Sequence, residues 1–82
     1  MAACEYKIKY FAMLREQRGV DAEVIRSDAV TAQDLYAELQ CLHGFGLPTD
    51  RLKVAVNQRY ASWDTPLTSG DEVVFIPPVA GG

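Results

Sequence analysis

TAQDLYAELQCLHGFG, residues 31–46, spells a helix with both of its ends marked. Thr31 is a side-chain acceptor suited to the N-cap, and Asp34 three residues on completes a capping-box-like pattern. Ala32, Leu35, Leu39 and Leu42 recur at helical spacing and predict one buried stripe. Cys41 is read as core or half-buried packing on that helix. Gly44 and Gly46 stop it, and His43 sits at its end, where a cation meets the helix dipole favourably. A chain of 82 residues holds one domain with a small core, and two packed layers are its natural solution.

Toward the N-terminus, residues 5–11 alternate. Tyr6, Ile8 and Tyr10 fall on one face and Lys7 and Lys9 on the other, the period of a half-buried strand. Phe11 shares the parity of the lysines and points to the outer face. AMLREQR, residues 12–18, is rich in helix formers and is followed by Gly19, which predicts a short helix with a glycine cap. AEVIR, residues 22–26, predicts a second strand, reached through a connection and not a tight hairpin.

Toward the C-terminus, Leu47–Asp50 is a loop containing Pro48. LKVAVN, residues 52–57, alternates again, with Leu52, Val54 and Val56 on one parity. Asn57-Gln58 reads as a turn and Tyr60 opens a short strand. Asp64, Pro66, Ser69 and Gly70 mark loops. DEVVFI, residues 71–76, is the last strand, with Val73 and Phe75 toward the core, and Pro77-Pro78 ends it because proline cannot donate to a ladder. The order is strand, short helix, strand, main helix, then two or three strands. That is an α+β chain with one main helix on a mixed sheet, the β-grasp arrangement, over residues 1–76, with a tail over 77–82.

Composition narrows the function. The net charge is −3 and no basic run occurs, which speaks against nucleic acid as a partner. A mildly acidic body suits a protein partner with basic residues in its pocket. Cys4 and Cys41 form no disulfide framework and are too few for a zinc site beside the single His43. Cys4 lies near the terminus and is read as incidental. No leader and no membrane-length apolar run is visible, so a cytoplasmic protein is expected. Glycine-rich phosphate loops, Ser-His or Cys-His arrangements and metal-ligand spacings are missing. The chain is expected to bind no cofactor and to be inactive alone.

The tail, PPVAGG, carries the functional signal. A frayed end is the plain reading of a terminal Gly-Gly. The flanking residues favour another. Pro77 and Pro78 give a stiff, extended exit from the sheet. Six residues reach at most ~20 Å. Val79 and Ala80 are slim enough for a narrow channel, and Gly81 and Gly82 have no Cβ, so the terminal carboxylate can approach a partner's reactive centre closely. A carboxylate is a poor electrophile until adenylation gives it AMP as a leaving group. A sulfur nucleophile can then displace AMP and leave a thiocarboxylate, a soft nucleophile. No step needs a catalytic side chain from this domain.

Four pieces in order resemble one family. These are Tyr10-Phe11-Ala12 with Arg15-Glu16 and Gly19; Thr31 with Asp34-Leu35 and Leu39; Ala55-Val56-Asn57; and the closing run Pro66-Leu67, Ser69 to Val73 and Pro77 to Gly82. Together they resemble the small subunits of molybdopterin synthase, the sulfur carriers of molybdenum-cofactor synthesis. The resemblance implies a β-grasp fold and a Gly82 activated with ATP by an adenylating enzyme related to ubiquitin-activating enzymes. It further implies a sulfur donor protein, and a large synthase subunit that receives the tail in a heterotetramer of two large and two small subunits. Phe11, Ile76 and Tyr60 would then form an outer docking patch at the base of the tail; the competing reading makes one or more of them core. Trp63 is read as packing. Three alternatives remain at this point: a carrier for thiamine synthesis or tRNA thiolation, a ubiquitin-like protein modifier, and a non-covalent interaction module. The double proline and the Phe-Ala opening favour the molybdopterin pathway.

Overall fold

Tyr6, Ile8 and Tyr10 are all buried and the lysines between them exposed, so the first alternation forms the strand it spells, β1 (Cys4–Tyr10). The structure is a computed structural model and describes residues 4–77. After β1 come α1 (Ala12–Arg18), β2 (Ala22–Ser27), α2 (Ala32–His43), a 3-10 turn at Thr49–Arg51, β3 (Lys53–Val56), β4 (Arg59–Ala61) and β5 (Glu72–Ile76). The five strands form one sheet in the order β2-β1-β5-β3-β4. β1 and β5 are parallel; the other pairs are antiparallel. The last strand therefore lies at the centre of the sheet, flanked by the first strand and by β3.

α2 lies on one face. Thr31 caps it as expected, its hydroxyl accepting from the Asp34 backbone N–H at 3.2 Å. Ala32, Leu35 and Leu39 are buried, but Leu42 is 62% exposed and Tyr36 is buried in addition. The expected stripe is thus corrected at its end. Beyond the left-handed Gly44, Phe45 folds back into the core, its ring 5.6 Å from Tyr10 and 6.2 Å from Tyr36. The returning Phe45 closes the inner side of the last turn on the flank of His43, 5.5 Å away, and leaves Leu42 outside. Cys41, read as packing, is also exposed. It stands beside Leu42 on the outward side of the same turn.

Trp63 stacks on Phe75 at 6.0 Å and lies 5.7 Å from Tyr36, so its packing role holds. The three buried tyrosines each keep their hydroxyl paired: Tyr6 donates to the Ala29 carbonyl at 2.7 Å, Tyr10 to Glu23 Oε2 at 2.5 Å and Tyr36 to the Leu47 carbonyl at 2.6 Å. Burial, and next to it Cys4, pushes the Tyr6 phenol up to about 12.

β3 and β4 join through a two-residue turn in which Asn57 and Gln58 both have positive φ, 53° and 71°. That is the mirror-type turn whose twist suits a hairpin. Asn57 also fixes the start of β5: its side-chain amide donates to Asp71 Oδ1 at 2.9 Å, and its side-chain oxygen accepts from the Glu72 N–H at 3.0 Å.

Candidate docking face and tail base

The inner face of the sheet is spent on the core, and the outer face has no helix over it. Two rows of side chains cross that outer face near the end of β5. Register places Lys9, Val74, Ala55 and Tyr60 side by side across β1, β5, β3 and β4. One step further along, Ile76 lies opposite Lys53. Phe11 directly follows Tyr10, the partner of Phe75, which sets it beside Ile76. Tyr60 is 75% exposed and Phe11 47%, while Ile76 is half-buried. All three residues read as a docking patch therefore lie on the outer face, and none is in the buried core.

Tyr60 and Ile76 share one groove. Asp50, Arg51, Leu52, Lys53 and Pro77 also line it, and its volume is about 420 Å³. Pro77 is buried there. Phe11 does not line this groove. It stands on the other flank of Ile76 and lines a smaller hollow with Lys9, Arg15 and Asp21. β5 thus leaves the sheet between two apolar flanks, and Pro78, Val79, Ala80, Gly81 and Gly82 lie outside the described residues.

Phe11 owes its exposure to the backbone on either side of it. It is itself extended, at φ −126° and ψ 154°, and Ala12 has φ 51°, a left-handed conformation costly for a residue with a Cβ. The chain turns at Ala12 into α1, and the Phe11 carbonyl accepts from the Leu14 N–H at 3.1 Å. α1 therefore begins under Phe11 and holds it out from the sheet.

Behind Phe11 sits a charged cluster that no local pattern announced. Arg18 grips Glu23 with both ends of its guanidinium, Nε to Oε2 at 3.0 Å and Nη2 to Oε1 at 2.8 Å, and Tyr10 donates to the same carboxylate. His43 Nε2 lies 3.4 Å from Glu23 Oε2. The Arg18 hydrogen bond holds the Glu23 carboxyl below the ordinary glutamate range, against the upward push of burial. Burial first, then the Glu23 carboxylate, pushes the Tyr10 phenol up. The cluster binds α1, β1, β2 and the end of α2 to one carboxylate. It is a clamp on the frame that carries Phe11.

Among the described residues, no group of three or more His, Cys, Asp or Glu is placed to hold a metal ion. None of their helices is long and apolar enough to cross a membrane.

The sequence relatives are molybdopterin synthase sulfur carrier subunits, and the fold is shared also with the small archaeal modifier protein 1 of Haloferax volcanii, at a TM-score of 0.79, 27% identity and coverage of 93% of this chain and 99% of that one. Residues 8–82 match the ThiS family. The chain is 40% identical over 79 residues to the molybdopterin synthase sulfur carrier subunit of Escherichia coli, covering 93% of this chain and 98% of that one. Its fold matches a structure described as molybdopterin converting factor, subunit 1, from Pyrococcus furiosus, with a TM-score of 0.77, 37% identity, and coverage of 94% of this chain and all of the other. It also matches, at a TM-score of 0.66 and 26% identity, a chain of the complex of subunits 1 and 2 of the molybdopterin-converting factor from Helicobacter pylori, covering 95% of this chain and 99% of that one. The central β5, its apolar flanks and these likenesses lead to one conclusion: the chain belongs to the ThiS family, among the molybdopterin synthase sulfur carrier subunits.

Proposed function

We propose that this chain is the sulfur carrier subunit of a molybdopterin synthase, acting in the cytoplasm through the carboxylate of Gly82. The observation that carries the reading is the exit of the chain. β5, the central strand, runs out at Pro77 between the exposed Phe11 and the Tyr60–Ile76 groove, five residues before Gly82. A body gripped on that face would present the tail to a partner's interior. The likeness to a subunit solved in complex with a second converting-factor subunit supports a large-subunit partner.

The chemistry follows from the carboxylate. In the activating enzyme its oxygen attacks the α-phosphorus of ATP and pyrophosphate leaves. The outer sulfur of a donor protein's persulfide then attacks the acyl carbon and AMP leaves, and a thiol reduces the resulting acyl disulfide, freeing the thiocarboxylate and leaving the donor sulfur in a disulfide with that thiol. In the large subunit that sulfur attacks an electrophilic carbon of the pterin precursor, and water cleaves the acyl–sulfur bond to restore the carboxylate. Each carrier delivers one sulfur, so the two sulfurs of a dithiolene need two carriers, which fits a heterotetramer. This chain contributes no catalytic side chain and binds no cofactor of its own; the ATP is consumed by the activating enzyme.

Intact mass spectrometry tests the reading. Incubation with the activating enzyme, ATP and a sulfur source should raise the mass by the difference between sulfur and oxygen, localised to Gly82. Adding the large subunit and precursor should return it. Removing Gly82 should abolish the shift and leave the melting temperature unchanged. A mass that stays constant with an activating enzyme of proven activity would overturn the carrier role, and conjugates of higher mass would point to a protein modifier.

A further inference from the structure

The charges of this chain are sorted by face. From Ser27 to Thr49 there is no lysine or arginine, and this stretch, which contains all of α2, carries Asp28, Asp34 and Glu38; Asp50 and Arg51 beyond it both line the Tyr60 groove, where their charges offset each other. Asp64 joins them from the loop whose Trp63 carbonyl accepts from the Gln33 N–H in the first turn of α2. The outer sheet face is the reverse. Lys7, Lys9, Arg26 and Lys53 project from it against Glu5 and Glu72. Both carboxylates are already engaged, Glu72 by Lys9 at 3.4 Å and Glu5 by Arg26 at 3.6 Å. Lys7 and Lys53 make no ion pair among the described residues, and Lys53 lies directly opposite Ile76, in the wall of the Tyr60 groove. A net charge of −3 thus conceals a positive docking face and a negative back. The overall balance suggests a partner with basic residues; the charges gathered on the outer face favour carboxylates instead.

We propose that the outer sheet face docks on a protein surface with an apolar centre and a rim of carboxylates, and that this charge pattern steers the carrier in with its tail foremost. The proposal rests on the docking role given above and names the chemistry of the partner. Apolar side chains at the base of the tail supply the buried centre. Lys53 beside them and Lys7 two residues up β1 from Lys9 meet carboxylates at the rim. The acidic α2 side is repelled by the same rim, so a carrier arriving backwards is turned away. Charges placed in this way act mainly on the association rate, and salt screens them.

The test is stopped-flow association with the cognate large synthase subunit over a series of salt concentrations, alongside thermal melts of each variant. The double variant Lys7→Glu/Lys53→Glu should associate about tenfold or more slowly at low salt and approach the wild-type rate near 1 M salt. Gln33→Glu/Ala37→Glu adds negative charge to the exposed side of α2 and should leave the rate near wild type. Tyr60→Ala should accelerate dissociation with its salt dependence unchanged. If the lysine variant associates like wild type while Tyr60→Ala weakens binding, the acidic rim is refuted and the docking face stands. If the α2 variant slows association as much as the lysine variant, the effect belongs to net charge and the steering by faces is refuted. If neither the lysine variant nor Tyr60→Ala changes binding, the docking role of this face falls, and the acidic rim with it.

Discussion

β5 presents two faces that differ in everything but composition. Val73 and Phe75 point inward and are fully buried under α2; Val74 and Ile76 point outward, where no second layer exists. Inward, an apolar side chain is fixed by its neighbours: Phe75 meets Tyr36 at 5.1 Å and Trp63 at 6.0 Å. Outward, Val74 and Ile76 are shielded only by side chains lying beside them on the sheet, and Phe11 and Tyr60 stand exposed at either side. An apolar residue is thus no statement about the core until the layer above it is known. The inner set carries stability; the outer set is available for recognition.

The sharpest way to break this comparison is to truncate one residue from each side. Phe75→Ala should cost about 3–5 kcal/mol in urea unfolding, because the Tyr36 and Trp63 rings lose their common neighbour and the site cannot collapse. A loss below about 1 kcal/mol would mean that the inner face is not the principal core. Phe11→Ala or Ile76→Ala should instead weaken binding to the large subunit by about 1–2 kcal/mol in calorimetry. Phe11→Ala should stay within about 0.5 kcal/mol of wild type in stability.

The Glu23 clamp sharpens the contrast, since it stabilises the frame without belonging to either face. Its carboxyl is held below the ordinary glutamate range, so its contribution is present above that range and is lost as pH falls through the folded value. Stability measured by denaturant melts should therefore drop in acid, and Glu23→Gln should remove part of that slope while keeping an acceptor for the Tyr10 hydroxyl. An unchanged acid slope would assign the effect to other carboxylates. The smallest effect belongs to the β3–β4 turn. Gln58 holds φ 71° with a Cβ, and Gln58→Gly should gain up to about 1 kcal/mol. A loss would show that the Gln58 side chain contributes more than its backbone strain costs.

Much of this was legible in the chain itself, for reasons that are local. The alternation of residues 5–10 predicts β1 and its buried tyrosines, and AMLREQR followed by glycine predicts α1 over the seven residues it occupies. The outward parity of Phe11 and Ile76 also follows from counting along a strand. Leu42 and Cys41 mislead because both flanks of a helical stripe look alike in sequence. Phe45, arriving from beyond the helix, decides which flank is closed. The Glu23 clamp is illegible because its partners come from three different elements, β1, α1 and α2, and even the nearby Arg18 reaches it only once α1 and β2 are packed. A signal did exist, in that a half-buried glutamate beside Val24 and Ile25 needs a partner, but the sequence does not say which.

The sequence by itself determined where strands and helices form, because periodicity, caps and turn residues act within a few positions. The reading of the tail rests on Pro77-Pro78 and Gly81-Gly82 alone, and all of these but Pro77 lie outside the described residues. The tertiary structure alone decided that β5 is the central strand, because pairing β5 with both β1 and β3 joins segments far apart in the chain. From that follow the two flanks of the tail base and the row that brings Lys9, Val74, Ala55 and Tyr60 together. It also decided the polarity of the molecule: net charge is a sum over the chain, whereas a docking partner meets only the side chains that folding gathers on one face.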